Sequence, residues 1–353
     1  MLERRLRWFG LWGAASALIL GSSIFPKAGI AADAAHPYRV IQRIPLGGDG
    51  GWDYLSMDSK AQRLFISRGA RVDVVDVVKG AVCGQIPNTP GVHGIALAED
   101  CKRGFTSNGG DNTVTMFDLK TLNVISRIPV GTRPDCIIYD PFTHRVFTFN
   151  GGSNDSTAID AKTGTVVGTI PLGGKPEFAV PDGRGSVFVN LEDESKVAEI
   201  DAKNLRLKNN FSIAPGDGPS GIAMDQKHRR VFSVCGNQMM TVLNVDTGKV
   251  VATPAIGRGP DAAAFDSEEE LAFSSNGGDA TLTIVSENSK FDQYSIVQTL
   301  TTEPGARTMA IDQSTHRIYL VTAQVAPGNG GFGGGRRRRS FVPGSFVLLV
   351  VGR

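Results

Sequence analysis

The feature that most constrains this chain is a repeat of about 42 residues that runs through most of its length. The proline in RIPLGG, QIPNTP, RIPVGT and TIPLGG falls at Pro45, Pro87, Pro129 and Pro171, always 42 residues after the one before. Gly- and Pro-rich segments near residues 214, 257 and 301 continue the spacing at 42 to 44 residues. Seven units therefore fit between Pro45 and Val351. Such a period indicates repeated structural units, although the length alone would suggest two domains.

Each unit contains four short segments rich in β-branched and aromatic residues and separated by turn residues. Examples are CIIYD, RVFTFN, TVTMFD and KVVATPAI, and no stretch sustains the apolar period of a helix. The sequence predicts an all-β chain whose units are four-stranded antiparallel propeller blades. Related Gly/Asn segments, such as SNGGDNTVTMFD at 107–118, predict hairpins between the second and third strands. Their Gly and Asn are expected to supply the positive φ of tight turns.

The two ends of the repeat predict how the ring closes. The last unit is one strand short, whereas YRVIQRI (38–44) resembles a fourth strand that stands ahead of the first unit. We expect the N-terminal strand to complete the last blade, which leaves no blade with a missing edge strand. The predicted blades run over 45–86, 87–128, 129–170, 171–213, 214–256, 257–300, and 301–351 with 38–44, all within one domain over 33–353.

The second strands carry a four-letter motif that appears as FTSN (105–108), FTFN (147–150) and FSSN (273–276). The motif resembles the YVTN-type repeat of YncE-like β-propeller proteins, and the resemblance spans residues 38–351. It implies a seven-bladed propeller, often exported and mostly without an assigned reaction. Blades four and five depart from the pattern, because FVN is out of step by one and Cys235 replaces the Asn.

Residues 1–32 have the layout of a secretory signal peptide, with Arg4, Arg5 and Arg7 ahead of an apolar run and small residues near its end. The segment carries a net charge of +3 (four basic residues against Glu3), so the remaining chain is about −1 out of a total of +2. A general basic surface for nucleic acid is therefore excluded. No other segment approaches the ~20 apolar residues of a membrane span. We expect a periplasmic or secreted monomer that does not span the membrane.

Propeller ligands commonly bind where the loops of one face surround the central channel. Counting back five residues from each first-strand Asp places one polar position per blade at this mouth: Asp53, Gly94 beside His93, Asp135, Glu177, Ser220, Asp261 and Arg307, with Trp52, Arg133, Lys175 and Arg258 just upstream. In one interpretation the acids merely pair with neighbouring Arg and Lys. In the other they surround a polar pocket.

A pocket of this composition has the ligand types of a divalent metal site. The metal ligands would be drawn from Asp53, His93, Asp135, Glu177 and Asp261. Such a metal would lower the pKa of a bound water and support hydrolysis of a lactone, by analogy with lactonase propellers. The sequence contains no G-x-S-x-G element, phosphate loop or dinucleotide fingerprint.

The hairpin of blade seven contains a long insertion, AQVAPGNGGFGGGRRRRSFVPG. Its four consecutive arginines, Arg336, Arg337, Arg338 and Arg339, would lie on the same face as the acids. Three interpretations remain open: a solvated loop, a binding site for phosphate, an acidic glycan, anionic lipid or nucleic acid, or a loop that folds over the channel. Because no aromatic residues are interleaved, an electrostatic patch is favoured over a reader of bases.

The four cysteines show no metal-binding spacing. Cys83 and Cys101 fall on one face of adjacent blades and are a candidate disulfide pair, whereas Cys136 and Cys235 read as buried small residues. His144, His228 and His316 occupy equivalent turns of different blades and are interpreted as turn residues.

These observations lead to a binding or interaction module as the first expectation for function. Its ligand or partner would be a small anionic molecule, a polymer or a protein, bound by the channel mouth and the Arg-rich loop. The alternative is a metal-dependent, lactonase-like hydrolase. A structural or surface-layer role comes third. A divalent metal is the one cofactor that the residues suggest.

Overall fold

The computed structural model describes residues 37–327 and 340–353. They form seven four-stranded antiparallel sheets arranged as the blades of a propeller, as the repeat predicts. The signal peptide predicted for residues 1–32 and the arginines at 336–339 lie outside the described residues. Among the residues described, no helix is long and apolar enough to cross a membrane.

The strands are numbered in chain order, and β1 is Arg39–Pro45. The strands of blades one to four are β2–β5 (Leu55–Asp58, Arg63–Arg68, Arg71–Asp76, Ala81–Pro87), β6–β9 (Val92–Ala98, Arg103–Asn108, Thr113–Asp118, Val124–Pro129), β10–β13 (Pro134–Asp140, Arg145–Asn150, Asp155–Asp160, Val166–Pro171) and β14–β17 (Pro176–Pro181, Ser186–Leu191, Lys196–Asp201, Arg206–Ser212). Those of blades five to seven are β18–β21 (Pro219–Asp225, Arg230–Cys235, Met239–Asn244, Lys249–Ala252), β22–β25 (Pro260–Asp266, Leu271–Asn276, Thr281–Asn288, Gln293–Thr301) and β26–β28 (Met309–Asp312, Arg317–Thr322, Val347–Gly352). Two short 3₁₀ helices, Glu192–Glu194 and Ser289–Phe291, lie in hairpins of blades four and six.

Blade seven is completed by the N-terminal strand. Its strand order is β1-β28-β27-β26, and β1 pairs with β28 from Arg39 opposite Gly352 to Pro45 opposite Val347. The predicted closure is thus confirmed. The pairing supplies the last blade with the fourth strand that its own repeat lacks, so β28 is not left as an open edge.

The core lies between neighbouring blades rather than within any one of them. The second strands of blades one to six each place a fully buried phenylalanine at the same position: Phe65, Phe105, Phe147, Phe188, Phe232 and Phe273. Each packs against apolar residues of the next blade, as Phe232 does against Phe265 with ring centroids 5.2 Å apart. Burial of each ring stabilises the fold by roughly 1.5–3 kcal/mol. The blades therefore support one another, and the loops above them are held in fixed positions.

The repeated Asn of the hairpins has a different role from the one predicted. Asn108 lies in a strand and is buried, and its side chain donates to Thr113 Oγ1 (3.0 Å) and Thr115 Oγ1 (2.9 Å). The positive φ falls four residues later, at Asn112. Gly110 is needed for a close approach, because a Cβ there would lie 2.7 Å from the carbonyl oxygen of Pro90. Asn108 therefore hydrogen-bonds the second strand to the third inside the blade, and these bonds hold the adjoining loop in place.

The candidate disulfide between Cys83 and Cys101 is not formed, and both residues are free thiols. Cys83 is exposed on the outer strand β5, whereas Cys101 packs against blade three, with its sulfur 4.0 Å from the hydroxyl of Tyr139. The two side chains point to different neighbours, so their position on one face does not bring them together. Cys136 and Cys235 are buried, as predicted.

Candidate functional site

The polar residues predicted at the channel mouth lie where the first strand of each blade begins. In blades two to six the pairing with the second strand shifts register there, and the shift contains His93, Asp135, Glu177, Ser220 and Asp261. A register shift of this kind bends the strand and redirects one side chain. Ser107 of blade two donates to the carbonyl oxygen of Asp135 in blade three, which fixes the next blade's residue at the mouth. The repeat thus turns these side chains towards the same space.

One half of the site is an ion-paired network centred on Arg307. Its guanidinium donates to Asp53 Oδ1 (3.2 Å) and to Asp261 Oδ2 (2.5 Å). The other oxygen of Asp53 lies 2.6 Å from Nδ1 of His93, and the other oxygen of Asp261 accepts from Ser220 Oγ at 3.0 Å. Residues from five blades are therefore joined in one network, and every carboxylate oxygen in it has a partner.

The other half of the site is acidic and less completely paired. Asp135 Oδ1 lies 3.7 Å from His93 Nδ1, and its carboxylate accepts no hydrogen bond from the described residues. Lys175 Nζ bridges Glu177 and Glu192, which leaves the second oxygen of Glu177 without a donor in the described chain. We call the two halves together the channel-mouth cluster, which comprises Asp53, His93, Asp135, Lys175, Glu177, Glu192, Ser220, Asp261 and Arg307.

The pKa values of the ionisable residues differ between the Arg307 half and the acidic half of the site. Burial alone would raise the pKa of Asp53, but the hydrogen bond from His93 and the charge of Arg307 hold it below its ordinary value. Burial would lower the pKa of His93, yet its bond to Asp53 and the charge of Asp135 raise it to about 9. Burial and nearby carboxylates raise the pKa of Asp135 to about 6 and that of Glu177 to about 8. At neutral pH His93 is therefore a cation, whereas Glu177 is largely protonated as long as no further positive charge is bound.

The channel is filled directly beneath the cluster. Tyr54 of blade one stacks on Phe178 of blade four, with ring centroids 4.1 Å apart and planes inclined by 24°. Phe178 also packs against the apolar clusters formed by blades six and seven and by blades four and five. The two rings, which directly follow Asp53 and Glu177 in the chain, form an aromatic floor beside the cluster.

Most predicted site residues meet at the mouth, but two groups do not. Trp52 is buried with 6% of its surface exposed, between the rings of Phe341 and Phe346. Trp52 therefore packs behind Arg307, whose guanidinium carbon lies 6.0 Å from the centre of its ring, and does not face a ligand. The predicted role of Arg336–Arg339 falls outside the described residues.

Sequence reasoning missed Glu192, Tyr54 and Phe178 as parts of this site. Glu192 begins the 3₁₀ helix of blade four, where three consecutive acids offered a signal. The aromatic floor had no sequence signal, since its two residues are 124 positions apart.

The predicted metal ligands fit a metal only in part. Donor atoms of Asp53, His93 and Asp135 lie within 4.8 Å of one another. A metal would need His93 in its neutral form and would compete with Arg307 for Asp53. Asp261 is held by Arg307 and Ser220 on the far side of this trio. As the site stands, the two oxygens of Asp53 are satisfied by His93 and by the guanidinium of Arg307.

Two cavities lie beside blade seven rather than at the mouth. The larger, about 570 Å³, is lined by residues that include Pro45, Pro304, Thr322 and Phe346. The smaller, about 360 Å³, lies between the 48–51 loop and 340–343. Neither includes a residue of the channel-mouth cluster, whose converging charged groups make it the better candidate site.

The sequence matches no protein-family model and no curated protein. The fold is similar to that of a solved chain of Kuenenia stuttgartiensis hydrazine synthase. The match has a TM-score of 0.68 and 18% identity and covers 77% of this chain and 92% of that one. At this identity the likeness shows the propeller fold alone.

Proposed function

We propose that this seven-bladed propeller is a binding module whose channel mouth holds a small polar ligand through a cationic group. The observation that carries the proposal is the incompletely paired acidic half of the cluster. Asp135 and the second oxygen of Glu177 lack hydrogen-bond donors in the described chain, and only 27% and 15% of the two side chains remain exposed. Partly buried acceptors of this kind favour a ligand that brings N–H groups and positive charge.

The other half of the cluster supports a polar rather than an all-cationic ligand. Protonated His93 presents positive charge 3.7 Å from Asp135, and Arg307 adds a second positive charge where it pairs with Asp53. A molecule that carries an ammonium group beside hydroxyl or carboxylate groups would match both halves. The aromatic floor of Tyr54 and Phe178 would contact its apolar part.

The alternative is a metal-dependent hydrolase, and the compact trio Asp53, His93 and Asp135 favours it. In that case the metal would displace the proton of His93 and supply an activated water. We place this second, because both oxygens of Asp53 already have partners in the network.

Further parts of the proposal rest on sequence alone. Export to the periplasm or the medium is proposed from the signal-like segment at 1–32, and kinship with YVTN-type propellers from the second-strand motifs. The four arginines at 336–339 are proposed to add affinity for an anionic ligand or partner, because four adjacent guanidinium groups form a local positive patch.

The test is calorimetric titration of the chain without residues 1–32, using spermidine and butylammonium as cationic probes. Phosphate and Mn²⁺ serve as the contrasting probes. The Asp135→Asn and Glu177→Gln variants keep the shape of each side chain and remove its ability to ionise when a cation binds. We expect each to weaken binding of the amines about 10- to 100-fold, the effect of losing one charge-assisted hydrogen bond.

Glu194→Gln is the matched control, because Glu194 lies in the same hairpin as Glu192 but pairs outside the cluster with Lys196. Equal amine affinity in wild type and in Asp135→Asn would overturn the proposal. Binding of Mn²⁺ with proton release, abolished in His93→Gln, would favour the hydrolase instead.

A further inference from the structure

The turn between the first two strands of blade five holds a second cluster of ionisable side chains, on the face opposite the channel mouth. His228 Nδ1 lies 2.5 Å from Asp225 Oδ2. Glu287 approaches the same place from the neighbouring blade six. One donor atom each from Asp225, His228 and Glu287 lie within 4.8 Å of one another. The cluster therefore joins two blades through their polar groups.

The cluster exists because blade six has a glutamate where blades one to five have an apolar residue, and the hairpin that follows this glutamate is also longer. The third strand of blade six, Thr281–Asn288, has eight residues, whereas that of blade five, Met239–Asn244, has six. The fourth strand, Gln293–Thr301, is extended to match. Glu287 itself occupies the position that Leu119, Ala161 and Val245 hold in other blades, because its backbone N–H is bonded to the preceding turn in the same way; what differs is that its side chain brings a carboxylate to Asp225.

The two carboxylates are buried and incompletely paired. Asp225 and Glu287 are 3% and 5% exposed. Oε1 of Glu287 accepts a hydrogen bond from the hydroxyl of Tyr294 at 3.2 Å, but its buried Oε2 has no hydrogen-bond partner among the described residues. Two buried carboxylates side by side with an unpartnered oxygen are costly unless a positive charge lies between them.

The nearby arginine does not supply that charge fully. Arg230 pairs with Asp292 at 2.8 Å and donates to the carbonyl oxygen of His228 at 2.6 Å. The charge of Arg230 is therefore already paired with Asp292, which lies in the same hairpin of blade six as Glu287. His228, when neutral, adds a nitrogen ligand but no charge.

The comparable pair in blade seven lacks a third ligand. His316 contacts Asp266 at 2.7 Å, but the further acid near it, Glu268, has 77% of its side chain exposed. A contact between Asp and His therefore recurs on this face, although His316 takes its Asp from the neighbouring blade six, and the buried Glu287 distinguishes the cluster of blades five and six.

We propose that Asp225, His228 and Glu287 form a binding site for a divalent cation that clamps blade six to blade five. Two carboxylate oxygens and one imidazole nitrogen are the ligands of Zn²⁺ or Mn²⁺, with water completing the coordination. Bonds of ~2.0–2.2 Å suit an ion among atoms within 4.8 Å of one another, once the ion replaces the proton between His228 and Asp225 and these two atoms move apart from their 2.5 Å contact. The ion would supply the positive charge that the two carboxylates lack.

The experiment measures metal content and thermal stability of the chain without residues 1–32. The protein is stripped with chelator, reloaded with Zn²⁺ or Mn²⁺, dialysed and assayed by elemental analysis. We expect about one equivalent of metal and a Tm that rises with metal concentration. Glu287→Gln and His228→Gln should weaken binding by more than the 10- to 100-fold that loss of an outer-shell partner costs.

Two variants act as matched controls. His316→Gln removes the related histidine of blade seven, and His93→Gln removes the histidine of the channel mouth. Both should keep the metal, which separates this site from the one proposed at the mouth. No retained metal, or equal retention in Glu287→Gln, would overturn the proposal. A further outcome would also contradict the proposal. If metal does not change the Tm of the wild type, and if Glu287→Gln has a higher Tm than the wild type, then a shared proton occupies the cluster in place of a metal ion.

Discussion

The pKa of Glu177 shows how the channel mouth changes the ionisation of a single side chain. Burial and the charge of Asp135 raise its pKa to about 8, from an unfolded value near 4.5. The folded protein therefore binds more protons than the unfolded one between these two values. The free energy of unfolding should fall as pH rises through this window, and the stability present below the unfolded pKa is lost by about pH 8. His93, with its pKa raised to about 9, acts in the same direction from pH 6.5 upward.

We predict that Glu177→Gln makes the stability less dependent on pH. The amide keeps the side-chain shape but cannot ionise, so the loss between pH 5 and pH 8 should be visibly smaller than in wild type. Urea unfolding at several pH values measures this. Glu194→Gln, an exposed acid of the same hairpin, should follow the wild-type curve. A Glu177→Gln curve parallel to wild type would contradict the assigned pKa.

Among the elements, β1 is the strand that closes the ring. It covers β28, in which five of the six residues are buried, and it contributes the buried Ile44. Without β1 the hydrogen-bonding groups of β28 would form an exposed edge, which promotes association between chains.

A chain that begins at residue 46 should therefore lose cooperative folding or aggregate, whereas one that begins at residue 37 should remain monomeric. Size-exclusion chromatography and urea unfolding distinguish the two. Addition of a synthetic peptide of residues 38–45 should partly restore the folded state. Equal stability of both truncated chains would show that the closure contributes little.

For the molecule as a whole, the stack of Tyr54 on Phe178 joins blades that are not neighbours in the ring. We predict that Phe178→Ala destabilises the fold by about 2–4 kcal/mol, because it leaves a cavity where several blades meet. Equilibrium unfolding in urea measures the loss. Phe142→Ala is the control, since Phe142 is 54% exposed and its loss should cost under about 1 kcal/mol. Similar costs for the two variants would argue against a central role for the stack.

The repeat made the fold and much of the site predictable, because position within a unit determines position within a blade. Asp53, Asp135, Glu177 and Asp261 were located by counting back from one Asp in each unit, and they do converge. The repeat does not show which residues of distant blades come into contact across the ring. The sequence therefore gave no indication that Tyr54 contacts Phe178. The direction of a side chain was equally hidden, as Cys101 shows by packing against blade three.

The pairing of β1 with β28 also fixes how the molecule would respond to mechanical tension. Arg39 lies opposite Gly352, so both ends of the described fold leave the same corner of blade seven. Tension between residues 38 and 353 would act on one rung of the ladder at a time, as in a zipper, instead of shearing all rungs together. The propeller would therefore open at low force from blade seven, while the other six blades remain intact until that strand has detached.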